Sequence, residues 1–411
     1  MNDIPLNRLD KISPLPSLEE FRQFHAHIPL AGDPPNQILT LPDDLFIYLV
    51  ATLRNNPTSP PTCSLQDWDT VLRFLRPHGI IPLIASNLIS WPENCHPPKE
   101  TMAFLSKILL FGGARGLYHE NQIRRVTTAL EDAGIPVLLL KGHALARTVY
   151  PDPALRHSAD IDLLVKPEDV PKCEPAFARL GYTCSLHTFR ISSYEHHHQI
   201  FYPPNNKGSP IELHWMTDLG YRMFSPGWLN DAFDRKMLVT SGNLSCFTLD
   251  STDHFTFLAF HDIFQHSSLR LDWICDIALL MHTLTVRGDW EKIRSTCVQN
   301  HIRIPVELAL TVGSLWFAED IPQEYRDFST WPAPSERELR LWKFAKLRQV
   351  NLLSGIYLAL QGMPGFSEKL KYGFRFILPP TELMQKYRSS CSHADIPLAH
   401  FRRWSRILKY L

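Results

Sequence analysis

The sequence predicts an α+β protein, a small mixed β-sheet core flanked by mostly helical regions before and after it. Three observations predict this. Residues 137–140, 160–165 and 211–215 read as short strands, the last two by their alternation of polar and apolar residues. Apolar residues recur at helical spacing over 43–54, 65–75 and 101–133. After the strands the helical spacing returns over 253–266, 271–283, 289–300 and 305–317.

The elements follow in order along 411 residues, enough for two or three domains. The expected division is an N-terminal helical region (1–133), a sheet-bearing core (134–249) and a C-terminal helical domain (250–411). Prolines, 33 in all, cluster near the N-terminus and favour irregular connections there. Ser17-Leu18-Glu19-Glu20 has the spacing of a capping box and starts a short helix. Gly79 is placed to stop the helix over 65–75. The helix over 101–133 could break at Gly112-Gly113, and Gly134-Ile135-Pro136 turns it into the first strand. A second helix of the core is expected over 168–180. Gln199-Ile200-Phe201-Tyr202 and Ile211-Glu212-Leu213-His214 form a hairpin-like pair, joined by the Pro- and Asn-rich loop 203–210.

Composition narrows the function classes. Lys+Arg and Asp+Glu stand at 42 each, so no overall basic field attracts a polyanion, and there is no strong signal for nucleic-acid binding. The start, Met1-Asn2-Asp3-Ile4-Pro5, is not that of a secretory signal. No apolar run is long enough to cross a bilayer. Eight scattered cysteines without a Cys-x-x-Cys pair fit free thiols, and the expected location is the cytoplasm.

The chemistry centres on Asp160 and Asp162. On a strand, residues two apart share a face, so the two carboxylates project together while Ile161 and Leu163 point to the opposite side. Adjacent carboxylates repel unless a cation lies between them, and Mg²⁺ favours sites of few carboxylates plus substrate phosphates. Glu212 shares a face with His214 on another strand. A strand-borne Asp-x-Asp with a separate Glu is the ligand set of a two-metal site for phosphoryl or nucleotidyl transfer. Removing Asp162 should then relieve repulsion in the metal-free chain and cost little stability.

Several stretches together resemble the nucleotidyltransferase fold of the DNA polymerase beta superfamily. They are Leu140-Lys141-Gly142-His143-Ala144-Leu145-Ala146, Tyr150-Pro151-Asp152-Pro153, Arg156, Asp160-Ile161-Asp162-Leu163-Leu164-Val165, Leu180-Gly181-Tyr182 and Ile211-Glu212-Leu213-His214-Trp215. More narrowly they resemble the bacterial uncharacterised nucleotidyltransferase family, from about residue 68 to the C-terminus and most strongly over 135–215. The resemblance implies transfer of a nucleoside monophosphate from an NTP to a hydroxyl or similar acceptor (small molecule, sugar or peptide), with release of pyrophosphate. It implies Mg²⁺ or Mn²⁺ held by Asp160, Asp162 and Glu212, the catalytic set. Lys141, Gly142, His143 and Arg156 are the expected nucleotide- and phosphate-binding residues. Where the superfamily has Gly or Ser after Gly142, this chain has His143, which either crowds the triphosphate or joins Lys141 in phosphate contact. Members often accompany lasso-peptide or surface-polysaccharide genes, which implies biosynthetic-cluster partner proteins.

Other residues carry secondary expectations. His198, His214, His261 and Asp276 are acceptor-side candidates. In His196-His197-His198 only His196 and His198 should converge, and the absence of a matching ligand at the right spacing argues against a transition-metal site. His254 and His261, seven apart, share a helix face, with His261 on the wall opposite the aspartates. The alternative role of Asp276 is a buried ion pair with Arg270 or another base, and that of Arg156 is a pair with Asp160. His261-Asp262 is similar to the dipeptide of His-Asp metal phosphohydrolases, which keeps that activity as an alternative. A non-catalytic nucleotide- or partner-binding protein on the same fold is another. The basic amphipathic run 401–411 would pack on its own domain or touch a membrane surface.

Overall fold

The structure is a computed structural model that describes residues 16–184, 196–216, 224, 227–266, 268–318, 321–348, 356–357, 360 and 365–379. The basic run 401–411 lies outside the described residues. Six strands form one mixed sheet: β1 (Leu138–Leu139), β2 (Ile161–Leu164), β3 (His198–Phe201), β4 (Ile211–His214), β5 (Met237–Ser241) and β6 (Leu244–Thr248). Their order is β3-β4-β2-β1-β6-β5. The expected hairpin is the antiparallel pair β3–β4, while β2 and β4 run parallel.

Seven helices precede or interleave with the first strands: α1 (Leu18–His25), α2 (Asp43–Leu53), α3 (Leu65–Leu75), α4 (Ile81–Ser90), α5 (Lys99–Glu131), α6 (Lys141–Thr148) and α7 (Val170–Arg179). Ser17 and Glu20 cap α1 reciprocally, as their spacing predicts. Helix α5 runs straight through Gly112-Gly113. Each glycine costs about 1 kcal/mol in a helix, but the two ends of α5 are anchored separately. Leu105 sits in one hydrophobic core and Ile123, Val126 and Leu130 in another. The later helices are α8 (Trp228–Asp234), α9 (Ser251–Phe260), α10 (Leu271–Arg287), α11 (Trp290–Asn300) and α12 (Arg303–Phe317), followed by shorter ones. A π-helical turn, His261–Gln265, extends α9.

The two cores lie on opposite faces of the sheet. Ile161, Leu163, Ile211 and Leu213 pack beneath it with α5 and α7. Leu138, Leu140 and Leu164 face a larger core built from both helical regions. Phe21 of α1 meets Trp316 of α12 with ring centroids 4.8 Å apart. Arg54 donates to the carbonyls of Trp316 and Leu315 at 3.0 and 2.6 Å. The helices before and after the sheet therefore share one interior. Among the described residues, no helix is long and apolar enough to cross a membrane.

Candidate active site

Strand alternation and register build the site. In the parallel pair β2–β4, Asp162 is the direct partner of Glu212, and Leu164 of His214. Because Ile161, Leu163 and Leu213 fill the core beneath, Asp162, Glu212 and His214 project from the other face. Asp160 stands one residue before β2. Asp160, Asp162 and Glu212 all line one cavity of ≈300 Å³. Its far wall is the α9 extension, which contributes His261 and Asp262.

Two side-by-side carboxylates need a countercharge, and the chain supplies one. Leu140 donates its N–H to the Asp162 carbonyl at 2.9 Å, which sets Lys141 beside that strand. The Lys141 ammonium lies 2.8 Å from Asp162 Oδ1, and His214 Nε2 lies 2.9 Å from the same oxygen and 3.6 Å from Glu212. Burial acts to raise the Asp162 carboxyl, but Lys141 and His214 hold it well below the usual carboxylate range. Glu212 is also lowered: burial opposes this, and the hydrogen bond from His214 with the charges of Lys141 and His214 together overcome it. Asp160 forms no ion pair among the described residues; it accepts from Ser158 Oγ at 3.3 Å. Burial, then the charges of Asp162 and Glu212, push it up to about 6.

The Lys141 backbone is itself unusual. Its φ is 50°, in the left-handed region that side chains seldom adopt. Its N–H donates to His254 Nε2 at 3.1 Å. Burial lowers His254 to about 3, so the ring is neutral and free to accept. His261 also lines the acidic cavity, and burial keeps it well below its ordinary value. Its Nδ1 lies 3.0 Å from Asp262 Oδ1, and burial pushes Asp262 up to about 7.

Of the other expected phosphate-site residues, Gly142 and Arg156 line the acidic cavity and His143 does not. His143 does not line the acidic cavity; it lines a second one behind α6, its ring 4.9 Å from that of His119. Two residues along a helix rotate the side chain about 200°, which turns His143 away from Lys141. It neither crowds the acidic cavity nor reaches into it. Gly142 does line that cavity, but its lack of a side chain has a local reason. A Cβ there would come within 2.7 Å of Ser158 Oγ. Arg156 lines the cavity already paired: its guanidinium donates to both oxygens of Asp276 and lies 2.9 Å from Asp272 Oδ2. Its partners are therefore Asp272 and Asp276, not Asp160. Asp276 lines the cavity and also accepts from the Tyr150 hydroxyl at 2.8 Å; its base is Arg156, while Arg270 pairs with Asp272.

The histidines hold a correction as well. His197, His198 and His214 bring ligand atoms within 4.8 Å of one another, and His198 Nδ1 lies 2.9 Å from His197 Nε2. His197 converges, rather than His196, because it precedes β3 and escapes strand alternation. The signal was a histidine run abutting a strand whose hairpin partner carries His214. Asp162, Glu212 and His214 form an overlapping group with the same spacing. Its oxygen donors, with Asp160 facing the same cavity, fit a divalent cation.

Paired strand carboxylates, an adjacent lysine and a facing helical wall meet at this cavity. Residues 64–318, more than half of the chain, match the family described as uncharacterised nucleotidyltransferase, and the chain belongs to that family. No curated protein and no solved structure matches it.

Proposed function

We propose that this protein transfers a nucleoside monophosphate from an NTP to a hydroxyl or similar group of an acceptor, releasing pyrophosphate. The observation that carries the reading is the meeting of Asp160, Asp162 and Glu212 in one cavity faced by His261. The resemblance to the DNA polymerase beta superfamily supports the same assignment. Asp160, Asp162 and Glu212 would hold Mg²⁺ or Mn²⁺, which when bound supplies charge neutralisation for the phosphates.

The chain's own residues have separable tasks. Lys141, held in place by the His254 contact, binds phosphate oxygens once a cation takes its share of the Asp162 charge. Ionised Asp160 adds an oxygen ligand for the cation beside Asp162 and Glu212. His214 orients Asp162 and Glu212. His261 and the α9 extension form the wall that keeps the acceptor in line with the phosphorus. Arg156 and Asp276 act as positioning residues that tie α10, which packs on α9, to the segment before β2. The three-part division at 134 and 249 belongs to the same proposal, with the middle part holding the acids.

The test is pyrophosphate release from each of the four NTPs with Mg²⁺, together with mass spectrometry of candidate acceptors. Asp162→Asn and Glu212→Gln should both abolish release. Turnover that survives both substitutions would sink the reading.

A further inference from the structure

The second cavity, ≈200 Å³, lies behind α6 and shares Arg156, His157 and Ser158 with the acidic one. Its chemistry is the reverse of its neighbour's. No aspartate or glutamate lines it among the described residues. Two helices each present an arginine and a histidine four residues apart, and such pairs share a helix face. Helix α5 contributes Arg115 and His119, and α6 contributes His143 and Arg147.

Two buried polar atoms of this wall lack partners. His143 is 4 % exposed, yet its Nε2 has no hydrogen-bond partner. Arg147 Nε is likewise buried and unpartnered, although its Nη1 donates to the His143 carbonyl at 2.9 Å. Glu120 acts on Arg147 without forming an ion pair among the described residues; it accepts the Asn243 N–H instead, at 3.1 Å. His119 Nε2 is occupied by Ser209 Oγ at 3.3 Å. A buried polar atom left unpaired costs about 1–3 kcal/mol; Arg147 Nε can only donate, and His143 Nε2 beside it donates in one tautomer, so this face of α6 calls for an acceptor that a ligand can bring.

We propose that this cavity binds an oxyanion, phosphate or carboxylate, carried by the acceptor. The inference rests on the nucleotidyl-transfer reading for the word acceptor, and on the cavity alone for the oxyanion. The rest of the lining, including Ile108, Phe111 and Pro153, is apolar and suits an organic body attached to the charge. The lining residues shared with the acidic cavity make the two sites neighbours. An acceptor anchored by its anion behind α6 can therefore present a hydroxyl toward Asp160.

Inorganic phosphate is the probe, titrated into the full chain by calorimetry. Arg147→Gln should weaken phosphate binding by about tenfold or more, the loss of one charge-assisted hydrogen bond. Gly116→Leu tests the cavity without touching a charge: a Cβ at Gly116 meets nothing within 4 Å, so a leucine enters open space and fills it. It too should suppress phosphate binding, while both variants bind Mg-ATP as the parent does. Absence of phosphate binding in the parent overturns the proposal, as does unchanged binding in Gly116→Leu, which also decides the matter if Arg147→Gln fails to fold. Loss of Mg-ATP binding along with phosphate would assign the cavity to the nucleotide and overturn the acceptor assignment. Failure of NTP turnover in the parent would instead strike the nucleotidyl-transfer reading and leave the phosphate measurement intact.

Discussion

His254 accepts the backbone N–H of Lys141, 113 residues earlier in the chain, at 3.1 Å. The contact joins the helical layer to the one non-glycine residue of α6 with left-handed backbone, and so fixes the direction of the Lys141 ammonium. His254→Leu leaves a buried amide unpaired and should cost about 1–3 kcal/mol in chemical denaturation. His254→Gln, which can still accept, should recover most of that stability. If the histidine matters only for folding, pyrophosphate release per folded molecule will not change in the leucine variant. The expected result is a rise in KM for NTP.

Asp162 reverses the expectation drawn from the sequence. Repulsion between acids suggested that removing it would cost little stability or even add some. In the fold it is the partner of Lys141, whose side chain is only 16 % exposed. Asp162→Ala should therefore destabilise the metal-free protein by about 2–3 kcal/mol, toward the low side for breaking a buried pair because Lys141 keeps some water. Adding Lys141→Met to that variant should return much of the loss. Thermal and urea unfolding of the single and double variants measure both effects.

Asp160 carries the unfavourable charge. Burial, then the charges of Asp162 and Glu212, push its carboxyl up to about 6, from 3.8 for an ordinary aspartate. Between these pH values the folded chain binds more protons than the unfolded one, so stability from this group falls as pH rises through the window and is level above it. Asp160→Asn should stabilise the metal-free protein at pH 7.5, on the order of 2 kcal/mol, and have little effect at pH 4. Ionised Asp160 is also the form that would hold a cation, so Mg²⁺ affinity should weaken as pH drops below 6. Unfolding curves and Mg²⁺ titrations across pH 4 to 8 test both statements.

His261 faces the acids from the opposite wall as a neutral ring. His261→Ala should raise the acceptor KM or lower kcat and leave NTP affinity nearly unchanged. Steady-state kinetics with each substrate varied in turn separates the two. An effect confined to NTP binding would move His261 to the nucleotide side.

The acids were legible because a strand's period fixes which side chains share a face, and Asp160, Asp162 and Glu212 obey that rule or lie next to it. The hairpin bearing His198 and His214 was legible for the same reason. What escaped were partnerships across long stretches of chain. Nothing local marks His254 as the acceptor for Lys141, or Asp272 and Asp276 as the partners of Arg156. His143 was misplaced because a motif was followed as a string, whereas Lys141 begins a helix and the next side chains rotate away from it. His197 was missed because strand alternation was applied one residue too early. The continuity of α5 depended on cores at both ends that local glycine propensity does not reveal.

Arg156 has a consequence for how this protein can be handled. It stands on the loop before β2, yet its two carboxylate partners belong to α10, so the segment bearing the acids is clasped to the C-terminal helices by three buried charges. A fragment cut at 134 and 249 would carry half of that clasp and bare the apolar face of Leu138, Leu140 and Leu164. The acid-bearing segment is thus no portable cassette. Grafted or expressed alone it should aggregate, and in the intact chain it should melt in a single step with the helices that cover it.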